Sequence, residues 1–115
     1  MQPQSIGRMF RAFSDATRLR ALCLLREGEL CVGDLVRILR LPQPTASRHL
    51  QYLRRAGLVT ARREGRWMFY SLSRPRGAFH RKLLGCLGSC FREVPDVRGD
   101  LARAGRLRRK GGCCP

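Results

Sequence analysis

The feature that most constrains this chain is a change of hydrophobic period at Gly57. Before it, in Gln43-Pro44-Thr45-Ala46-Ser47-Arg48-His49-Leu50-Gln51-Tyr52-Leu53, the apolar residues Ala46, Leu50 and Leu53 fall on one helical face, and Thr45, Ser47, Arg48 and Gln51 point away from it. Pro44 suits a first helical turn, where its missing N–H costs nothing, and Pro42 keeps the approach extended. This predicts a helix from near Pro44 that stops at Gly57. After Gly57, Leu58 to Glu64 and Arg66 to Leu72 are rich in β-formers and flank Gly65, which predicts a two-stranded hairpin with a glycine tip.

The segment upstream, Glu29 to Leu39, reads as a short helix presenting Leu35, Ile38 and Leu39 to a core. Helix, turn, helix and hairpin in that order define a mainly α winged helix-turn-helix. Within it the second helix is the reading element. Gln43, Thr45, Ser47, Arg48 and Gln51 are the candidates for phosphate and base-edge contacts in a major groove, which admits one helix. The hairpin tip carries Arg62, Arg63 and Arg66, suited to a phosphate backbone or a minor groove.

Charge agrees with that reading. Lys and Arg number 24 against 8 Asp and Glu, a formal net charge of +16, so a polyanion is the expected partner. From Arg40 to Arg66 there are seven arginines and one acid, Glu64, so the excess sits in the reading unit and not only in a tail. No apolar stretch approaches transmembrane length, and the first five residues do not read as a signal peptide, so the expectation is a cytoplasmic protein without a membrane partner. No phosphate-binding glycine loop, nucleophile and base, or paired carboxylates stand out. The best enzymatic reading, Cys113-Cys114 as a reductase-like pair, lacks the Cys-x-x-Cys spacing.

At 115 residues the chain is long enough for one compact domain. We read 1–95 as a winged-helix DNA-binding and dimerisation domain and 96–115 as a basic, flexible tail with vicinal cysteines, in which Asp96 to Lys110 is either a weak helix or disordered. Ile6, Met9, Phe10 and Phe13 mark a first helical face. Ser14 or Asp15 caps a helix from Ala16 to about Glu27, with Cys23 as a small core residue in its stripe. A later helix is expected from Ala78 to about Glu93, with Phe79, Leu83, Cys86, Leu87, Cys90 and Phe91 on one face. His80, near its start, is read as a surface residue. One reading helix covers only a few base pairs, so a twofold dimer on an inverted repeat of double-stranded DNA is expected.

The stretches Phe13 to Leu19, Glu29 to Val32, Gln43 to Leu50 and Gly65 to Ser73 resemble the ArsR/SmtB metal-responsive repressors over about residues 6–74, and among them the arsenical and antimonial sensors. The resemblance implies a homodimer through N- and C-terminal helices, and a repressor of a metalloid-resistance operon. Its effector would be As(III), an organoarsenical(III) or Sb(III), with no permanently bound cofactor. In those sensors the scaffold helix carries three thiolates, whereas here Cys31 is followed by Gly33 and Val36 at the other two places. That departure makes Cys31 a structural residue in this reading and moves the expected site to the later cysteines.

Cys113 and Cys114 follow a Gly-Gly lead that offers no core to explain them, and Cys86 and Cys90 are one helical turn apart. Trivalent arsenic or antimony prefers two or three thiolates, and neither histidine completes a zinc spacing. The candidate site is therefore Cys113 and Cys114 with Cys86 or Cys90 as third ligand. The alternatives are Cys86 and Cys90 as interface thiols, a DNA-binding regulator switched by thiol oxidation, and a DNA-binding module that senses nothing.

Overall fold

The structure is a computed structural model, and it describes residues 3–112. Its elements run α1 (Pro3–Phe13), α2 (Ala16–Arg26), β1 (Leu30–Cys31), α3 (Val32–Leu39), α4 (Gln43–Arg55), β2 (Val59–Glu64), β3 (Trp67–Leu72), α5 (Ala78–Ser89) and α6 (Pro95–Arg109). The core is built around α2, whose consecutive residues Ala21 to Leu25 are all buried. It is hydrophobic around most of its girth, so α1, α5, α6 and the α3–α4 pair all pack in contact with it or with one another. Asp15 is the N-cap of α2, its carboxylate accepting the Arg18 N–H at 3.0 Å.

The helix-turn-helix is α3 and α4. Arg40 closes α3 in the left-handed conformation, at φ 56°, and Pro42 opens α4. Ala46, Leu50 and Leu53 are the buried face of α4, as the periodicity predicts. Gly57, at φ 78°, ends it with paired bonds from Gly57 N–H to Arg54 and from Leu58 N–H to Leu53, a glycine-capped exit that delivers the chain into the hairpin. β2 and β3 pair antiparallel from Val59↔Leu72 to Glu64↔Trp67, and Gly65 takes the first central position of the turn at φ 63°.

Four expectations need correction. First, the sheet has a third strand: β1 pairs with β3 through Leu30↔Tyr70 and Cys31↔Phe69, because the residues expected to begin the scaffold helix extend along the wing before the helix starts. Second, of the two readings of the basic segment, residues 95–109 take the helical one. They form α6, which buries Val97, Asp100 and Ala104 against α2 and α3, with Leu101 and Leu107 half-buried beside them. The carboxylate of Asp100 supplies the anchor, accepting from Arg20 at 2.7 and 2.8 Å and from Arg103 at 2.7 Å.

Third, α5 ends at Ser89, and its apolar residues divide between two faces. His80, Leu84 and Leu87 are buried, while Phe79, Leu83 and Cys86 are half-buried, so one stripe serves the core and a neighbouring stripe stays open. Fourth, His80 is fully buried. Its Nδ1 accepts the Arg76 N–H at 3.1 Å, while its Nε2 has no hydrogen-bond partner among the described residues. Burial, assisted by the Arg76 charge, lowers its pKa below the ordinary imidazole value. No helix among the described residues is long and apolar enough to cross a membrane.

Candidate nucleic-acid interface and thiol groups

The outer side of α4 keeps Gln43, Arg48 and Gln51 exposed and Thr45 and Ser47 half-exposed, so all five proposed contact residues lie off its packed face. Arg48 stays beside Thr45, with Nη2 to Oγ1 at 3.4 Å. The helix is held from behind by side chains of α2 and its cap. The guanidinium of Arg18 stacks 4.0 Å from the ring centre of Tyr52 and donates to the Ala12 and Arg11 carbonyls, and His49 Nδ1 lies 3.8 Å from the Asp15 carboxylate. For Asp15, burial pushes the pKa up, but the Arg18 N–H and the nearby His49 and Arg18 charges outweigh it and the net shift is downward.

The wing arginines are not equivalent. Arg62 is engaged at the foot of the wing. It forms a bidentate pair with Glu29 at 2.7 and 2.8 Å, a single bond to Glu64 at 2.7 Å, and a stack on Phe69 at 4.4 Å. Those bonds hold Arg62 protonated more firmly than an ordinary arginine, and the Arg62 hydrogen bond is the main cause that lowers the Glu29 pKa. Arg63 and Arg66 are exposed nearer the tip, Arg66 lying 5.9 Å over Trp67. Three basic residues outside the sequence-based set, Arg54, Arg74 and Arg76, line a cleft of about 480 Å³ with Thr60 and Ala61 at the base of β2. The only sequence signal for them was their sign of charge, because their convergence depends on how the chain leaves β3.

Among the cysteines, Cys23 is buried in α2, and desolvation pushes its thiol up to about 11, which suits a core residue. Cys86 and Cys90 are brought together, as a spacing of one turn requires. The bond to Cys90 raises the Cys86 pKa, and the same bond, with Ser89 assisting, lowers that of Cys90. Cys31 is 1 % exposed, accepts the Asp34 N–H at 3.4 Å as the N-cap of α3, and is disulfide-bonded. Cys113 and Cys114 lie outside the described residues. Among the described residues no three Cys, His, Asp or Glu side chains form a metal-binding group.

The class defined by this fold and its basic outer face is the winged helix-turn-helix regulator. Residues 15–61 match the family model described as bacterial regulatory protein, arsR family. The chain is 41% identical over 97 residues to the arsenical resistance operon repressor of Escherichia coli, covering 83% of each chain. It is 49% identical over 65 residues to an arsenic resistance transcriptional regulator of Pseudomonas putida, which covers 56% of this chain and 51% of that one. A cadmium resistance transcriptional regulatory protein homologue of Staphylococcus aureus is also similar, 42% identical over 71 residues, 61% of this chain and 59% of that one. Among solved structures, HlyU of Vibrio cholerae superposes with a TM-score of 0.68 at 33% identity, over 79% of this chain and 98% of that chain. A homodimeric winged helix-turn-helix DNA-binding domain of Mycobacterium bovis gives 0.65 at 31% identity, over 78% and 81%. The chain belongs to the arsR family and is a DNA-binding transcriptional regulator.

Proposed function

We propose that this protein is a homodimeric repressor of a metalloid-resistance operon, bound to an inverted repeat and released when trivalent arsenic or antimony is held by cysteine thiolates. The observation that carries the DNA-binding part is the outer face of α4, with Arg48 and Gln51 exposed and continued by Arg63 and Arg66 on the wing. Gln43, Thr45, Ser47, Arg48 and Gln51 take the groove. Arg63 and Arg66 take phosphates, and Arg62 holds the wing in place.

The dimer reading rests on the open stripe of α5. Phe10 of α1 is 55% exposed and stacks on Phe79 at 5.3 Å between ring centres, and Val94 is 40% exposed beyond the helix end. An apolar strip of that kind is covered in a stable assembly, and the M. bovis relative is described as homodimeric. The effector reading rests on chemistry and kinship. Two thiols in Cys113-Cys114, with a third sulfur, match the coordination of a trivalent metalloid, and two relatives are named for arsenic resistance.

A second reading, release by thiol oxidation, is favoured by the disulfide at Cys31. One experiment separates them. The reduced protein is titrated in a fluorescence-anisotropy assay on a fragment of its own promoter with arsenite, antimonite and cadmium, and then with peroxide. Release by arsenite or antimonite under full reduction supports metalloid sensing, since disulfide chemistry cannot act there. Release by peroxide alone assigns the redox switch.

A further inference from the structure

We propose a second phosphate-binding surface outside the winged helix: the cleft between α3 and α6 takes the DNA backbone beside the groove that α4 enters. This rests on the DNA-binding reading above and extends it. The cleft, of about 340 Å³, is lined by Arg37 and Ile38 of α3 and by Arg103, Arg106, Leu107 and Lys110. Arg103, Arg106 and Lys110 stand three and four residues apart, so the helix period sets them in one row along α6. That row is fixed in place. Asp100 and Ala104 on the neighbouring stripe are buried, and Arg103 Nε donates to the Ile38 carbonyl at 3.3 Å, which holds this flank of α6 against the last turn of α3.

One of these cations is neutralised within the protein, since Arg103 is bonded to Asp100 at 2.7 Å. Arg37, Arg106 and Lys110 are exposed and form no ion pair among the described residues. Helix dipoles favour cations in the last turns of α3 and α6, and a merely solvated basic face needs nothing more. Two such ends brought to one cleft are different. Three like charges converge over buried Ile38 and half-buried Leu107, with no acid among the lining residues to offset them. Like charges over an apolar floor raise the local potential and favour an anion with several oxygens, and guanidinium forks match phosphate in particular.

Its place in the fold selects DNA as the source of that phosphate. The cleft stands at the C-terminal end of α3, and only Arg40, Leu41 and Pro42 lie between that end and the first residue of α4. In a helix-turn-helix the first helix crosses the backbone while the second enters the groove. Exposed Arg40, three residues beyond Arg37, continues the basic row from the cleft toward Gln43. The cations of α6 therefore flank the helix that lies over phosphates. Such a contact positions the protein without reading bases, so it adds affinity for every sequence alike.

The test uses the full chain, a fragment of its own promoter, and two readouts, the salt dependence of affinity and phosphate-ethylation interference. Arg106→Gln/Lys110→Gln keeps good helix formers and leaves Asp100 with both its partners. It should weaken binding to all sequences by about tenfold at low salt, lower the salt slope by roughly two contacts per dimer or more, and abolish interference at about one or two phosphates in each half-site. Arg37→Gln, from the opposite wall, should abolish interference at the same phosphates. Arg92→Gln/Arg98→Gln removes the same charge from two exposed residues at the other end of α6 and should change neither readout. An equal loss in that variant reveals an effect of net charge alone and overturns the inference. So does a wild-type slope and interference pattern in Arg106→Gln/Lys110→Gln with native circular dichroism. In both cases phosphate interference that disappears in Arg63→Ala or Arg66→Ala leaves DNA binding itself standing. A wild type that binds no promoter fragment removes the DNA-binding reading as well.

Discussion

Replacing Asp100 by Asn should undock α6 from the rest of the domain. The carboxylate is 1% exposed and bonded to two arginines that are themselves 24% and 28% exposed. Removing one partner of a buried pair costs about 3–5 kcal/mol, because the remaining charges lose their counterion. Here Arg20 and Arg103 reach solvent and recover some hydration, and Asn still accepts one hydrogen bond, so the expected loss is about 2–4 kcal/mol. A urea slope of about 2 kcal/mol per molar translates this into a midpoint lower by about 1–2 M. Urea melts followed by far-ultraviolet circular dichroism, at equal protomer concentration because dimerisation adds to apparent stability, measure it directly. A midpoint shift below about 0.3 M would refute the reasoning and show that apolar contacts of Val97, Leu101 and Ala104 alone hold α6.

The other predictions concern the interface and the titrating groups. Arg48→Ala should weaken operator binding and relax base preference, whereas Arg63→Ala or Arg66→Ala should weaken all sequences alike and lower the salt slope by about one contact, read from a gel-shift salt series. Arg62→Ala should instead loosen the wing, seen as faster amide exchange in β2 and β3, because its partners are Glu29, Glu64 and Phe69. In timed iodoacetamide labelling of the reduced protein, Cys90, whose pKa is lowered by its bond from Cys86, should react well before Cys23, which is buried and raised to about 11. His80 has a depressed folded pKa, so the unfolded chain binds the extra proton: its contribution is complete above the unfolded value near 6.5 and drains away as pH falls from there through the folded pKa. Melts at pH 7.5 and 5.5 should therefore differ more for wild type than for His80→Asn, which can still accept the Arg76 N–H.

Elements whose pattern is local were legible in the sequence. The buried triad of α4, the Gly57 stop and the Gly65 tip each follow from a period or a backbone requirement carried within a few residues. What was not legible depends on distant partners. β1 is too short to show alternation and exists only because β3 lies beside it. α6 has little apolar amphipathicity of its own. Its decisive residue is an acid, Asp100, whose value depends on Arg20, eighty positions earlier in the chain. His80 looked like surface because imidazoles usually are, while the backbone N–H that satisfies its Nδ1 comes from a turn with no sequence signature. The same limit applies to the cysteines: spacing brought out Cys86 and Cys90, whereas the burial of Cys31 at the start of α3 depends on β3 lying beside it.

The wing is fastened to the start of the scaffold helix twice. Leu30 and Cys31 of β1 pair with Tyr70 and Phe69 of β3 immediately before α3 begins. Arg62 of β2 forms a bidentate pair with Glu29, and Ser71 of β3 is bonded to the same carboxylate at 3.2 Å. A displacement of Glu29–Cys31 would therefore reach β3 through the strand pairing and Arg62 through the ion pair, while α4 would feel it through α3, which packs against it. Wing and α4, separate in sequence, thus depend on one three-residue segment and should move together.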